Sequence, residues 1–446
     1  MPVLPLLKRE LIRLKKLPER TRGTIVLWLG AAGVGLVAVL LAKAAEWAFW
    51  FFQTVTGEWR WWPFLGLPLG GMGIRWLMSR MGQGAEGSGI PQTMAALEVA
   101  AEPNIAARML SLRIAAAKFI GIVGGVGAGF VLGREGPTVQ IGASIMYACR
   151  RLLALPEVGF QRQLILAGGA AGIAAAFNTP LAGIVFAFEE LARSVEQETS
   201  GRLIGAVILA GVVSLALAGD YTYFGRVHVP SFSYTILLPL VPVAVAAGLI
   251  GGAFSWLCVH QARWMPGPMA QFRRTHPYWF IAVCGLLIAA CGWVVPVFGS
   301  GADETSAVIS GHGHLAWYYL PLKFISLLAT FVTGLPGGVF APSLALGAGV
   351  GSWFAPLFGA DVHLKIVAIG MVAMLAAVTR APITSAIIMI EMTDGHAMVI
   401  STLAAAMIAS NVARVFRVNL YHDLAARVLL QYAAKDREVA HEQPHT

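Results

Sequence analysis

The chain has 446 residues, of which 57% are hydrophobic and only 12% charged, and its mean hydropathy is +0.71. That balance leaves too little polar surface to clothe a water-soluble globule of this length, so the composition excludes one and predicts an all-α polytopic membrane protein. A net charge of +9 would suit a nucleic-acid binder, but the basic residues flank an apolar run and no nucleic-acid motif accompanies them.

In chain order, residues 1–23 carry Lys8, Arg9, Arg13, Lys15, Lys16, Arg20 and Arg22 ahead of the first apolar run, which the positive-inside bias places in the cytoplasm. No small-residue cleavage site follows a short apolar core, which argues against a removable signal peptide. A helix needs about 20 residues to cross roughly 30 Å of hydrocarbon. Uncharged runs of that order are Thr24–Ala42, Gln163–Phe188, Leu203–Gly219, Val227–Ala262, Tyr278–Ala302 and Phe324–Ala360. Pro239 and Pro242 interrupt the fourth, and Pro336, Gly337 and Gly338 the last, so each of these two is predicted to be a pair of segments with a break. The basic loop from Arg263 to Arg274 is expected on the side of the N-terminus, and the loop of Asp303 and Glu304 on the opposite one. Cys149, Cys258, Cys284 and Cys291 lack metal-type spacing and read as packing residues. Lys118, inside the otherwise uncharged Ile114–Leu132, needs a counter-charge and reads as structural. His312 and His314 read as solvated loop residues, so no metal is expected. No linker divides the chain. The expected organisation is a transmembrane domain over 24–430, with homologous halves at about 24–219 and 227–430, and a cytoplasmic tail at 431–446.

The halves are suggested by an internal repeat. Gly168–Glu189 aligns with Gly370–Glu391 at an offset of 202 residues, matching Ala175 with Ala377 and Pro180 with Pro382; the segment from Pro137 aligns with that from Pro342 at an offset of 205. Repeated halves with proline- and glycine-broken helices are a transporter pattern, in which short helices end near the bilayer midplane and point their N-termini at a shared site. A helix N-terminus carries about half a positive charge and unpaired N–H donors. Such a site suits an anion and can still release it, where a fixed lysine or arginine could hold it too tightly.

Three motifs would supply those N-termini: Gly87-Ser88-Gly89-Ile90-Pro91, Gly133-Arg134-Glu135-Gly136-Pro137, and Gly337-Gly338-Val339-Phe340-Ala341-Pro342. Each pairs glycines, which allow close backbone approach, with a proline placed for a first helical turn. Glu135 is an ionisable residue between apolar stretches, a situation that costs about 2.5–3.5 kcal/mol and marks function or a partner. Its carboxylate shares the charge of a halide, so it could take the anion's place when ionised and withdraw when protonated. The competing reading is an ion pair with Arg134.

With Asn419-Leu420-Tyr421 near the C-terminus, these motifs resemble the CLC family of anion transporters, of the bacterial type, over about Thr24 to Leu430. The resemblance implies a CLC fold of two inverted-topology repeats with broken and re-entrant helices. It also implies a homodimer with a pore in each subunit, embedded in membrane lipid, and exchange of chloride for protons without a cofactor. It assigns the central anion to the hydroxyls of Ser88 and Tyr421 and the amides of Val339 and Phe340, the external gate to Glu135, and internal proton transfer to Glu190 in Phe186-Ala187-Phe188-Glu189-Glu190. Blander roles exist for several of these: a turn or cap for Ser88, an interfacial anchor for Tyr421, packing for Phe340, a helix end for Glu190. The alternative within the fold is a passive voltage- or pH-gated chloride channel, against which Glu190 argues. Ser88 and Tyr421 retain the chloride-type pattern and disfavour a fluoride exporter. A serine protease built on Ser88 lacks a histidine set in a motif within a helical core.

Overall fold

The computed structural model describes residues 18–81, 84–152, 158–192, 197–219, 236–359, 362–393 and 398–442. The basic side chains of residues 8–16, the junction of the halves at 220–235 and the end of the tail at 443–446 therefore lie outside the described residues. Helices α1 to α5 are Glu19–Glu58, Trp62–Met81, Ile90–Glu98, Pro103–Met109 and Leu112–Ala128. Next come α6 to α9, Glu135–Cys149, Val158–Phe177, Pro180–Phe186 and Gln197–Ala218, with a π-helical turn at Ala187–Leu191 after α8. Then α10 to α14 are Leu237–Val259, Gly267–Thr275, Pro277–Val294, Ala302–Ile309 and Tyr319–Thr333, and α15 to α19 are Phe340–Phe354, His363–Thr379, Pro382–Thr393, Val399–Ala413 and Leu420–Glu442. Among the described residues, six stretches are long and apolar enough to span a bilayer: Thr21–Glu58, Asn104–Ala128, Gly201–Ala218, Leu237–Val259, Pro277–Val294 and Val399–Phe416. The protein is an all-α polytopic membrane protein in which many of the remaining helices, such as α3, α8 and α13, have fewer than ten residues and are too short to cross.

The helices differ from the expected spans in three places. The first span is not confined to Thr24–Ala42: α1 begins at Glu19, and Arg22 is buried within it, so the basic segment runs into the helix. Gln163–Phe188 is not one span, because Pro180 starts a new helix and Asn178 adopts a left-handed conformation (φ 58°) at the break. Conversely, α10 is unbroken from Leu237. Pro239 falls in the first turn, where backbone N–H groups have no intrahelical acceptor, and Pro242 forfeits one bond close to the end. The tail, for which no secondary structure was expected or excluded, is helical through Glu442. The predicted break in Phe324–Ala360 is present, between α14 and α15.

The repeat extends further than the alignment showed. Helices α6 and α15 span equivalent residues at the 205 offset, and each is followed by a three-residue 3-10 turn. Asn178 and Arg380, 202 residues apart, break equivalent helices with the same left-handed turn, φ 58° and 64°. Lys118 on α5 and Lys323 on α14, again 205 apart, are both buried and donate to loop carbonyls. Gly87-Ser88-Gly89 before α3 has a twin in Gly299-Ser300-Gly301 before α13, with positive φ at all four glycines. Two contacts map onto themselves under this exchange of halves, as a dyad requires. Gly133 N–H donates to Gly338 O and Gly338 N–H to Gly133 O, both at 2.8 Å. Glu189 accepts from the N–H groups of Ile383 (3.0 Å) and Thr384 (2.6 Å) at the start of α17, while Glu391 accepts from Leu181 (3.2 Å) and Ala182 (2.8 Å) at the start of α8. A pseudo-two-fold axis relating inverted repeats accounts for both.

Each of these glutamates neutralises the N-terminus of the other half's helix, where two amides are otherwise unpaired. Loss of such a cap costs about 1 kcal/mol. Glu189→Ala and Glu391→Ala are each expected to lower the unfolding temperature in detergent; unchanged midpoints in both would contradict the capping role.

Candidate functional site

The three glycine-rich motifs, far apart in sequence, meet around the bridge between Gly133 and Gly338. Gly337 N–H donates to Gly87 O (3.0 Å) and Gly87 N–H to Gly334 O (3.3 Å), so the loop of Ser88 is stitched to the loop that leads into α15. Gly87 (φ 65°) and Gly89 (φ 102°) take a conformation that L side chains resist, which lets the loop turn sharply before α3. Approach is close enough that a Cβ on Gly136 would strike the Ser88 hydroxyl, and one on Gly89 would lie 2.9 Å from Gly136 O. The N-termini of α3, α6 and α15 are therefore gathered at one place.

Each of these helices returns a hydroxyl to its own first turn: Thr93 Oγ1 donates to Gly89 O (2.9 Å), Thr138 Oγ1 to Arg134 O (2.7 Å) and Ser343 Oγ to Val339 O (2.6 Å). These bonds satisfy the hydroxyls without consuming any N-terminal amide. Neither Arg134 nor Val339, the N-caps of α6 and α15, caps with its side chain. Pro137 and Pro342 stand in the first turn of each, where a missing N–H costs nothing, and Pro91 does the same in α3. Positive helix ends thus remain directed at the junction.

Glu135 is the first residue of α6 and is fully buried. Its carboxylate folds back over the junction, so that a Cβ on Gly133 would lie 2.5 Å from Oε2. Arg134 is directed elsewhere: its guanidinium reaches Glu46 Oε1 on α1 at 3.0 Å and Ala42 O at 3.1 Å. That contact ties the start of α6 to α1.

Ser88, Val339, Phe340 and Tyr421 are all buried. Tyr421, in the first turn of α19, stacks on Phe340, ring centroids 6.0 Å apart, and Phe340 also meets Phe177 and Phe186 at 6.1 Å each. This aromatic cluster fixes the phenol beside the junction. The charges of Glu190 and Glu135 act on it and the Ser88 hydroxyl lies within hydrogen-bonding reach of it, which puts the sequence-selected polar groups in one neighbourhood. Glu190 is buried within the π-helical turn, closed by Ala192 N–H to Ala187 O at 2.8 Å, and does not mark an exposed helix end. Such turns often occur at functional positions.

Several supporting residues were not legible as such. Lys118 Nζ donates to Glu86 O (3.3 Å) and feels the Glu86 carboxylate, which answers the question of its partner: it braces the segment leading to Ser88. Gln140 Nε2 reaches Gly84 O and Met109 O, both at 2.9 Å, and holds the other side of that segment. The twin loop at Ser300 carries Asp303 and Glu304 in the first turn of α13, where the Ser88 loop carries Pro91 and Gln92. Acidic side chains complement that N-terminus and would repel an anion. The two loops are therefore alike in backbone and unlike in charge.

Known proteins resemble this chain over most of its length. The family described as voltage gated chloride channel matches residues 70–414. The H(+)/Cl(-) exchange transporter ClcA of Cronobacter sakazakii is 30% identical over 443 residues, covering 94% of this chain and 92% of the relative. The transporter of the same name from Citrobacter koseri is 29% identical over 478 residues, covering 99% and 97%. Among solved structures, a slow cyanobacterial Cl-/H+ antiporter superposes with a TM-score of 0.78 at 24% identity, covering 92% of this chain and 98% of that one. A CLC-type fluoride/proton antiporter superposes with a TM-score of 0.73 at 22% identity, covering 91% and 98%.

Proposed function

This chain belongs to the voltage-gated chloride channel (CLC) family, and from that premise we propose that it is a secondary active transporter exchanging chloride for protons across the membrane. The relatives that match almost end to end are named as exchangers, which sets the passive-channel alternative aside. They are transporters, and the reading is accordingly not enzymatic.

The observation that carries the site assignment is the buried Glu135 carboxylate folded over paired helix N-termini. In this reading the anion is held by the amides of Val339 and Phe340 and the hydroxyls of Ser88 and Tyr421. Each helix end contributes about 0.3–1 kcal/mol, and up to about 2 kcal/mol when partly buried, enough for selection and weak enough for release. The Glu135 carboxylate competes for the same dipoles as the external gate. Protonation removes its charge and its claim on the site, an anion enters, and the proton is carried with the gate. Glu190 is the internal proton carrier. Because one position accepts either carboxylate or halide, movement of the proton and movement of the anion are linked.

Residues 24–430 form the transmembrane domain in this reading, with both termini in the cytoplasm by the positive-inside bias. The bacterial relatives support placement in an inner membrane. A homodimer is what the resemblance to the family implies, and exposed apolar side chains such as Leu181, Val212, Ile383 and Ile400 suit apolar surroundings, subunit or lipid. The remaining exposed apolar belt, including Trp47 and Leu238, suits lipid. The assignment of Glu190 is tested by Glu190→Gln in proteoliposomes: chloride flux persists and proton flux is lost. Proton flux equal to wild type would remove Glu190 from the pathway.

A further inference from the structure

Glu190 has a neighbour that its sequence context gave no reason to expect. His422 follows Tyr421 at the start of α19, and consecutive residues on a helix point about 100° apart. Tyr421 faces Phe340, while the His422 imidazole is directed at the π-helical turn, with Nδ1 3.6 Å from Glu190 Oε1. The two side chains differ in access: His422 is 20% exposed and Glu190 2%. A buried carboxyl thus touches a group that also reaches the surface. The other ionisable groups nearby are less suited to a relay. Tyr421 and Cys258 are buried, and Asp423 on the same helix accepts the Asn419 N–H at 2.9 Å. Imidazole is the side chain whose ordinary pKa, about 6.5, lets it gain and lose a proton near neutrality.

We propose that His422 is a proton-transfer residue that carries protons between the aqueous face and Glu190. The proposal rests on the exchanger reading above. In the inward-loading step an imidazolium gives its Nδ1 proton to Glu190 Oε1, leaving a neutral imidazole and a neutral carboxyl; the reverse step returns it. The imidazole is then recharged from water at its exposed edge. The 3.6 Å separation is beyond a direct hydrogen bond, and a small side-chain rotation or a single bridging water closes it.

The test measures the proton-to-chloride flux ratio in proteoliposomes for wild type, His422→Ala, His422→Gln and Glu190→Gln. Loss of a positioned proton-transfer group is expected to lower the ratio at least about tenfold in both His422 variants. Imidazole buffer on both faces is expected to restore it in His422→Ala, where the cavity admits the free base, and not in Glu190→Gln. A ratio equal to wild type in both His422 variants overturns the proposal. So does a lowered ratio that imidazole leaves unchanged, since it would mean that His422 only positions Glu190. Absence of proton flux in wild type would instead defeat the exchanger reading, so the two failures are distinguishable.

Discussion

Replacing Glu135 by glutamine is expected to reduce proton movement to the leak of protein-free vesicles while chloride still crosses. Glutamine has nearly the shape of the protonated side chain, but it cannot take up or release a proton and carries no charge to compete for the helix ends. The gate is then held permanently in its withdrawn state. Anion flux should also lose its dependence on external pH, because the group whose protonation clears the site is gone. Paired chloride and proton recordings on the same vesicles check both statements, and proton flux above leak in this variant would remove Glu135 from the coupling mechanism.

The second large effect concerns the glycines at which the helices of each half cross. A Cβ on Gly168 would press on Gly142 O and lie 2.8 Å from Ala143 Cα; at the equivalent crossing, a Cβ on Gly370 would press on Gly347 O and lie 2.7 Å from Gly351 N. These are backbone atoms, which cannot rotate away as a side chain can. Overpacking in a close-packed interior costs about 1–3 kcal/mol and more where the backbone must yield. Gly168→Val and Gly370→Val are therefore expected to lose most of their folded, monodisperse protein in size-exclusion chromatography. Gly73→Val, where a Cβ meets nothing within 4 Å, is the control and should elute as wild type. Normal folding of both crossing variants would contradict the close approach.

These glycines show what could and could not be read from the sequence. The membrane class followed from composition, and the break before α15 followed from Pro336, Gly337 and Gly338, because proline and glycine act locally. The break before α8 was missed because Asn178, and not a glycine, makes the left-handed turn there. The apparent break at Pro239 and Pro242 was misplaced because proline is harmless in a first turn, and periodicity does not reveal where a turn begins. The twin of Gly87-Ser88-Gly89 was present in plain letters as Gly299-Ser300-Gly301, but at an offset of 212, outside the two alignments at 202 and 205.

Site residues with a motif around them were legible; those defined only by contact were not. Ser88, Glu135 and the segment at Val339 and Phe340 sit in glycine-proline frames whose purpose is a tight turn into a helix. Lys118 stood out as a charge in an apolar span, yet its partner at Glu86 lies across the fold. The opposed caps of Glu189 and Glu391, and the approach of His422 to Glu190, join residues of opposite halves and exist only after those halves dock.

The account's central claim is that one site couples chloride to protons through Glu135. Its most direct test is proteoliposomes holding the wild-type chain, loaded with high chloride and diluted into low chloride at equal pH. The account predicts that chloride efflux drives protons inward against the gradient they build, visible as sustained internal acidification. Chloride efflux with no proton movement beyond that of protein-free vesicles would contradict it.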